Sequence, residues 1–396
     1  SGLVGSEMCI RDRAFVYDPV AGIQAISLGG TWSAPSAISE TGQVVGYSQN
    51  SEGGQSAFVF NHVDYLHLPL LDGGLAAKVA VTKFNQKGEA IGEFQYGTGQ
   101  IQAFVYDSLR GVQPLSLGGR VGSPHRINEA GQVVGWSQNT AGENQAFFYD
   151  PVVGIKELSL GGDGGSAGGW PNSSLNEAGQ MMGYSQNAAG ETHAFVYDSI
   201  LGMRELSLGG NWSDPYGLTE SGYALGLSLT AEGEDLSFVY DPLRGIQSLT
   251  LGGAWSHARE INEAGQVAGT SENAVGQRKV FFYDPILGIK ELPLEGDPVG
   301  TGRLTESGYL LAFATMHSAT TERHAFVYDL IHGLQPLSLD GRPSWAFMIN
   351  EAGQVIGSLE NTSATQQPST HQPFFYDPIL GIRELSLGGI QGRAKL

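Results

Sequence analysis

The chain has 396 residues, of which 40 are acidic and 21 are basic, giving a formal net charge of −19 at pH 7. An anionic surface repels phosphate backbones and anionic lipid headgroups, so we expect no nucleic-acid partner. The 58 glycines and the low charged fraction of 15% favour short strands and tight turns over helices. No apolar run reaches the roughly eighteen residues of a membrane span, so we expect no membrane insertion within this chain.

Residues 1–13, with the sequence SGLVGSEMCIRDR, match none of the repeats that follow. They resemble the translated sequencing-adapter read-through found in some assembled metagenomic genes, so we interpret them as a non-native segment. On this interpretation the native N-terminus and any signal peptide are missing. The single cysteine, Cys9, lies in this segment, and one cysteine cannot form an intrachain disulfide.

Two signatures alternate from residue 14 onward. The tetrapeptide Phe-Val-Tyr-Asp or a close variant recurs every 43 to 48 residues, with its Phe at positions 15, 58, 104, 147, 195, 238, 281, 326 and 374. Between these lie eight copies of a signature typified by Ile-Asn-Glu-Ala-Gly-Gln-Val-Val-Gly. Short apolar runs separated by Gly, Pro and Asn predict four strands per repeat. A period in the forties with four strands predicts an all-β fold, a β-propeller of about eight four-stranded blades, with a β-solenoid as the alternative.

The repeat boundaries predict one repeat domain over residues 14–389, followed by a C-terminal stub at 390–396. Eight complete repeats span residues 31–389, whereas residues 14–30 supply only the third and fourth strands of a blade. We expect this half-blade either to complete the ring at its seam or to mark an upstream blade that is missing from the sequence.

The repeat resembles the HAF repeat, named for the His-Ala-Phe seen here at residues 193–195 and 324–326. The frame Phe-Val-Tyr-Asp-Pro, Leu-Ser-Leu-Gly-Gly and Asn-Glu-Ala-Gly-Gln-Val-Val-Gly is also similar to that family, and its blade plan is similar to kelch. The resemblance implies a bacterial protein, extracellular or on the cell surface, without an assigned activity. His is often replaced, as in Gln145-Ala146-Phe147, which argues against a role for the namesake histidine.

Two acidic positions recur in most repeats and could suggest catalysis or calcium binding, since carboxylates and amide oxygens are common calcium ligands. A catalytic pair is needed once per active site, whereas these residues recur at the same turns, which favours turn chemistry. We therefore predict no catalytic residue, no metal site and no cofactor. The recurrent acids are Glu129, Glu177, Glu263 and Glu351 in the hairpins, and Asp18, Asp107, Asp150, Asp198, Asp241, Asp284, Asp329 and Asp377 in the Asp-Pro-type turns.

The last two residues before the final Ile or Leu of each first strand vary between repeats. If these strands line a central channel, the variable residues form its mouth. Basic and aromatic residues concentrate there in an otherwise acidic chain, which predicts a site for a polar or anionic ligand. The alternative is that they are ordinary solvated or blade-packing side chains. The predicted channel mouth comprises Lys83, His125, Arg126, Tyr216, Arg259, Glu260 and Arg303.

Tryptophans near the start of the first strands form a second candidate set. Gathered around one rim, they could stack on sugar rings; alternatively each indole fills the gap between adjacent blades. This predicted aromatic rim comprises Trp32, Trp170, Trp212, Trp255 and Trp345.

Two functional classes remain. The first is a non-catalytic binding or adhesion scaffold, whose partner is a glycan, a peptide or another surface protein. The alternative is a polysaccharide-acting hydrolase or lyase, which needs two unique carboxylates about 5 to 9 Å apart. Asp214 and Glu260 are the unrepeated acids near the first strands. We favour the binding scaffold over the enzyme.

Overall fold

The computed structural model describes residues 13–20, 22–39, 42–51, 53–60, 65–67, 76–96, 98–167, 175–294, 296–317, 321–361 and 370–385. Residues 1–12 of the predicted non-native segment and the predicted stub lie outside these ranges. Across the described ranges the regular secondary structure is β-strand, with no helix.

The chain divides into two compact units. Unit 1 consists of Ser1–Leu206 and Asp214–Leu218. Its strands are β1 (Ala14–Asp18), β2 (Gly22–Ile26), β3 (Gly29–Ile38), β4 (Val44–Asn50), β5 (Gln55–Phe60), β6 (Tyr65–His67), β7 (Ala76–Phe84), β8 (Ala90–Tyr96), β9 (Ile101–Asp107), β10 (Gly111–Pro114), β11 (Gly118–Ile127), β12 (Val133–Asn139), β13 (Asn144–Asp150), β14 (Gly154–Leu158), β15 (Gly161–Ala167), β16 (Met181–Asn187), β17 (Thr192–Asp198) and β18 (Gly202–Leu206).

Unit 2 consists of Ser207–Ser213 and Thr219–Leu396, so that β19 (Gly209–Leu218) is divided between the units. Its further strands are β20 (Ala224–Thr230), β21 (Asp235–Asp241), β22 (Gly245–Ser248), β23 (Gly252–Ile261), β24 (Val267–Asn273), β25 (Arg278–Asp284), β26 (Gly288–Glu291), β27 (Asp297–Leu304), β28 (Leu310–His317), β29 (Thr321–Asp329), β30 (Gly333–Pro336), β31 (Ser344–Ile349), β32 (Val355–Asn361), β33 (Thr370–Asp377) and β34 (Gly381–Glu384).

From β3 onward the strands follow one another in fours, and we number these groups blade 1 (β3 to β6) through blade 8 (β31 to β34). Within a blade, consecutive strands pair antiparallel, as in blade 3, where β11, β12, β13 and β14 pair in order. This differs from the parallel stacking between the coils of a β-solenoid. The prediction of an all-β fold with the four-stranded blades of a β-propeller is confirmed.

The predicted half-blade is the two-stranded antiparallel sheet of β1 and β2. It contacts blade 1 through the backbone N–H of Ala14, which donates to Ser33 Oγ at 2.8 Å. Whether this half-blade is a seam or the remainder of a missing blade stays a prediction.

A buried phenylalanine lies over a glycine in the centre of most blades. In blade 3, Gly135 of the second strand pairs with Phe147 of the third, and Phe147 is fully buried. A Cβ on Gly135 would overlap the carbonyl oxygen of Ser123 in the first strand and lie 3.0 Å from the Phe147 ring. Three strands therefore meet at one residue without a side chain. The same glycines and phenylalanines are Gly46 with Phe58, Gly92 with Phe104, Gly269 with Phe281, and Gly357 with Phe374.

The recurrent aspartate closes the turn between the third and fourth strands. Asp150 Oδ1 accepts hydrogen bonds from the backbone N–H groups of Val152 (2.8 Å) and Val153 (3.1 Å). Its Oδ2 accepts one from Gln132 Nε2 at 2.9 Å. Burial alone would raise the pKa of Asp150, but these hydrogen bonds lower it overall. Side-chain hydrogen bonds of the same kind join Gln180 to Asp198, Gln266 to Asp284, and Gln354 to Asp377.

Three blades lack this glutamine, and there the aspartate bonds to a basic side chain three residues ahead. Arg110 Nε lies 2.7 Å from Asp107 Oδ2. The other two pairs are Arg244 with Asp241 at 3.1 Å and His332 with Asp329 at 3.0 Å. The acid therefore keeps a donor for its second oxygen in each of these blades, which accounts for its recurrence as a structural residue.

The recurrent Asn-Glu hairpin connects one blade to the next. Asn128 Oδ1 accepts from the N–H of Gln132 within its own turn, and Asn128 Nδ2 donates to the Asn176 carbonyl of blade 4 at 3.0 Å. The Glu177 carboxylate accepts from the N–H of Glu129 at 2.8 Å. In unit 2 the equivalent bonds run from Asn262 Nδ2 to the Thr305 carbonyl and from Glu263 N–H to the Glu306 carboxylate. Turn closure and blade-to-blade hydrogen bonding together explain why these residues repeat.

We predict that the hairpin glycine is required by packing as well as by its backbone. Gly265 and Gly276 have φ values of +74° and +77°, where an L-residue costs about 1–2 kcal/mol. A Cβ on Gly265 would lie 2.5 Å from the Tyr223 ring, whereas one on Gly276 has nothing within 4 Å. In urea unfolding we expect Gly265→Ala to cost at least about 1 kcal/mol more than Gly276→Ala, because the ring must move. Equal costs would contradict the packing requirement.

The same constraint acts on Gly131 of blade 3, which has φ +76°. Its Cβ would lie 2.8 Å from the Glu89 carboxylate. We therefore expect Gly131→Ala to be destabilising as well.

A second prediction concerns the blade-to-blade carboxylates. Burial alone would raise the pKa of Glu263, but the hydrogen bonds that it accepts from Ser221 and Glu220 lower it overall. A lowered pKa stabilises the folded state above the unfolded value of about 4.3, and that stabilisation is lost as the pH falls through the folded value. Glu263→Gln should therefore lower the Tm near neutral pH, and the gap to wild type should shrink below about pH 4.

The control is Glu232→Gln, which changes an exposed glutamate in a turn of the same unit. It should leave the Tm near the wild-type value throughout the pH range. A Tm gap for Glu263→Gln that stays constant from neutral to acid pH would show that the charge of this carboxylate contributes nothing.

Candidate functional site

The variable positions of the first strand coincide with a β-bulge. In blade 3, Pro124 pairs with Gly135 and Arg126 with Val134, so that His125 is the extra residue. Bulges leave the extra residue unpaired and redirect the side chains beside it. Among the positions predicted as the channel mouth, His125 and Arg259 are such extra residues, and Lys83, Arg126 and Glu260 directly follow one. The equivalent bulges fall at Ser36, Thr82, Arg259 and Phe347, between the paired residues on either side.

Unit 1 brings two cations together beside these bulges. Burial lowers the pKa of Lys83, and the neighbouring Arg126 lowers it further. Arg126 is half-buried, and its Nη2 atom is fully buried with no hydrogen-bond partner. We call Lys83 and Arg126 the cation pair. His125 and Tyr216, also predicted at the channel mouth, are half-buried residues of the same unit.

Unit 2 holds the other three predicted residues, and here the charges are balanced. Burial raises the pKa of Glu260, while Arg303 and Arg259 oppose this rise. Arg303 also lies 3.9 Å from Glu351, measured from Nη2 to Oε1. Arg259 and Arg303 are exposed. Each of these cations has an acidic neighbour. An external anion would therefore stabilise this cluster less than it would stabilise the cation pair.

The four tryptophans that the structure describes, Trp32, Trp212, Trp255 and Trp345, are partly exposed. Trp32 makes an edge contact with Tyr47, with ring centroids 5.8 Å apart. Arg278 lies 4.4 Å above the Trp255 ring, and Trp345 makes an edge contact with His371 at 5.3 Å. Trp212 is 36% exposed, and Trp170 lies outside the described residues.

The tryptophan position and the bulge lie at different ends of the first strand. Trp255 precedes the bulged Arg259 by four residues, which corresponds to about 13 Å along a strand. Within a first strand, the tryptophan position and the channel-mouth positions therefore lie well apart.

Sequence reasoning missed a groove between blades 3 and 4. Its cavity volume is about 260 Å³, and it opens where the first strand of blade 4 carries Gly164 at the position that is tryptophan in blades 1, 5 and 6. The only signal in the sequence was the glycine at this one position. We call this cavity the Gly164 groove, which is lined by Trp136, Asn144, Gly164, Gly165, Ser166, Tyr184, Gln186 and Thr192.

In the part of the chain that the structure describes, no group of three or more His, Cys, Asp or Glu side chains could hold a metal ion. None of the elements described there is a helix able to cross a membrane.

No protein-family model matches the chain, and no curated protein matches it. Among solved structures, the β-propeller domain of the Trilobed protease from Pyrococcus furiosus is 12% identical, with a TM-score of 0.33, over 82% of this chain and 100% of that chain. Porphyromonas gingivalis dipeptidyl peptidase 4 is 13% identical, with a TM-score of 0.42, over 89% of this chain and 59% of that one. A prolyl endopeptidase is 12% identical, with a TM-score of 0.35, over 87% of this chain and 54% of that one.

The chain thus spans little more than half the length of these two peptidases. Because their TM-scores are below 0.5, these similarities add nothing to the fold that the strand pairing within the blades shows.

Proposed function

We propose that the protein is a non-catalytic binding scaffold that takes up an anionic group at the cation pair. The observation that carries this proposal is the buried, unpartnered Nη2 of Arg126 beside the half-buried Lys83. A buried charged donor without a partner is costly, and a second cation adds repulsion. An anion bound between the two groups would relieve both penalties.

The chemistry of the pair favours a carboxylate or a sulfate. A guanidinium can hold such a group with two parallel hydrogen bonds, while an ammonium adds a point charge. The net charge of −19 repels long polyanions, so the anionic group should be isolated on an otherwise neutral ligand. An acidic glycan and an acidic peptide both offer this chemistry, and the assay below distinguishes them.

We further propose an extracellular or cell-surface location, which rests on the resemblance to HAF-repeat proteins. A partner carried on a glycan or on another surface protein is consistent with that location.

One observation favours the alternative of a polysaccharide-acting hydrolase. Burial raises the pKa of Glu260, which is the direction of shift that a general acid needs. Release of reducing ends from polysaccharides by the wild type, and its loss in Glu260→Gln, would support that alternative. We expect no such release, because glycoside hydrolysis needs a pair of carboxylates, whereas the charged groups that act on Glu260 are the cations Arg303 and Arg259.

The anion proposal predicts that Arg126→Ala loses at least about tenfold in affinity for carboxylate ligands, which is about 1.4 kcal/mol. Matched pairs test it by calorimetry: an oligosaccharide with one terminal galacturonate against the same oligosaccharide ending in galactose, and peptides with a single carboxylate against their amides. Only the acidic member of the productive pair should bind. The Tm of Arg126→Ala should be equal to or above that of wild type, because an unpaired buried charge is removed.

The matched control is Arg120→Ala, which removes an exposed arginine from the same strand, β11. It should bind like wild type. Equal binding by Arg126→Ala, or a large loss of its Tm, would show that this guanidinium is structural and overturn the proposal.

A further inference from the structure

The Gly164 groove exists because blade 4 departs from the repeat. In blade 6, Trp255 pairs with Asp235, the first residue of the third strand of blade 5. The equivalent residue of blade 4 is Gly164, which pairs with Asn144, the first residue of the third strand of blade 3. Trp255 is covered by Arg278, and the residue equivalent to Arg278 in blade 4 is the shorter Thr192. Both the indole and the long side chain above it are therefore missing, which leaves the cavity open.

A second departure lies beside a buried polar atom that has no hydrogen-bond partner. In three other blades a serine follows the equivalent position, and its Oγ accepts a backbone N–H of the preceding blade; these pairs are Ser33 with Ala14, Ser256 with Ser237, and Ser344 with Ala325. Blade 4 has Gly165 instead. The neighbouring Gln145 is 1% exposed, and its Oε1 has no hydrogen-bond partner. That atom would lie 3.4 Å from a Cβ on Gly165, which itself lines the groove.

The lining of the groove combines aromatic faces with neutral hydrogen-bonding groups. Trp136 and Tyr184 supply half-buried rings. Asn144 and Gln186 supply amides, and Ser166 and Thr192 supply hydroxyls. Amides and hydroxyls donate and accept hydrogen bonds, as the hydroxyls of a sugar do. None of the eight lining side chains is charged, which disfavours an ionic ligand.

From this lining we infer that the Gly164 groove binds one neutral sugar ring. The volume of about 260 Å³ lies just below the range of about 300–1,000 Å³ for drug-sized ligands, so one ring with its neighbours in solvent fits it best. Aromatic faces cover the apolar C–H face of such a ring, and the amides and hydroxyls bond its rim. A proline-rich peptide also uses aromatic grooves, but it would leave most of these polar groups unpaired.

The inference is independent of the cation pair, since a neutral sugar carries no group for that pair to hold. If the cation pair binds no anion, the proposed sugar site is unaffected. If the groove binds no sugar, the proposed anion site is unaffected.

The sharpest variant is Gly164→Trp, which introduces the tryptophan that blades 1, 5 and 6 have at this position. Gly164 is not among the glycines with positive φ, and a Cβ there would meet only the flexible Gln186 side chain, at 3.3 Å. The variant should fold with a Tm at or above that of wild type while filling the groove. Saturation-transfer NMR would use glucose, galactose, mannose, xylose, N-acetylglucosamine, cellobiose and maltose, with a proline-rich peptide as the competing ligand class.

We expect at least one of these sugars to bind the wild type, and its affinity to fall at least tenfold in both Gly164→Trp and Trp136→Ala. The control is Tyr47→Ala, which removes the equivalent aromatic residue of blade 1, where Trp32 is in place; it should bind the sugar like wild type. The inference is overturned if none of the sugars binds the wild type, if only the peptide binds, or if Gly164→Trp retains the sugar.

Discussion

The contact between a buried phenylalanine and a glycine without a side chain determines the shape of each regular blade. Gly135 lets the first strand cross so closely that its Ser123 carbonyl occupies the place of a Cβ. The bulge at His125 begins directly beyond this crossing. The contact between Gly135 and Phe147 therefore positions the binding side chains indirectly, through the backbone of the first strand. A change at the glycine would alter the cation pair by the same route.

Blade 7 shows how the molecule accommodates an exception to this rule. Its second strand has Ala312 opposite Phe326, and the first strand of that blade carries Gly300 and Gly302. Gly300 has φ +145°, a value that L side chains rarely adopt. Beside this alanine the first strand leaves the regular ladder, with register shifts between Pro298 and Gly300 and between Thr301 and Leu304. A different exception is the replacement of the glutamine partner of Asp107 by Arg110.

The blades, their turns and the half-blade were predictable from the sequence because each depends on local turn chemistry repeated at a fixed spacing. The side chains of Asp150 and Asn128 accept hydrogen bonds from backbone N–H groups only two and four residues further along the chain, so these roles follow from the repeat alone. The hydrogen bonds between blades could not be predicted in this way, because the blade-to-blade partner of Asn128 lies 48 residues away. Sequence comparison also located the variable bulge positions, but it could not show that Lys83 and Arg126 are neighbours. The Gly164 groove was missed because it depends on a side chain that is absent.

The central claim is that the strand-two glycine positions the first strand, and the free energy of unfolding of Gly135→Ala tests it most directly. Urea unfolding should show a loss of at least about 1–3 kcal/mol, the usual cost of overpacking, since the added Cβ would overlap the backbone carbonyl oxygen of Ser123 and lie 3.0 Å from the Phe147 ring. Ala312→Gly in blade 7 is the reference, with an expected change of no more than about 1 kcal/mol. A Gly135→Ala protein as stable as wild type would contradict the account.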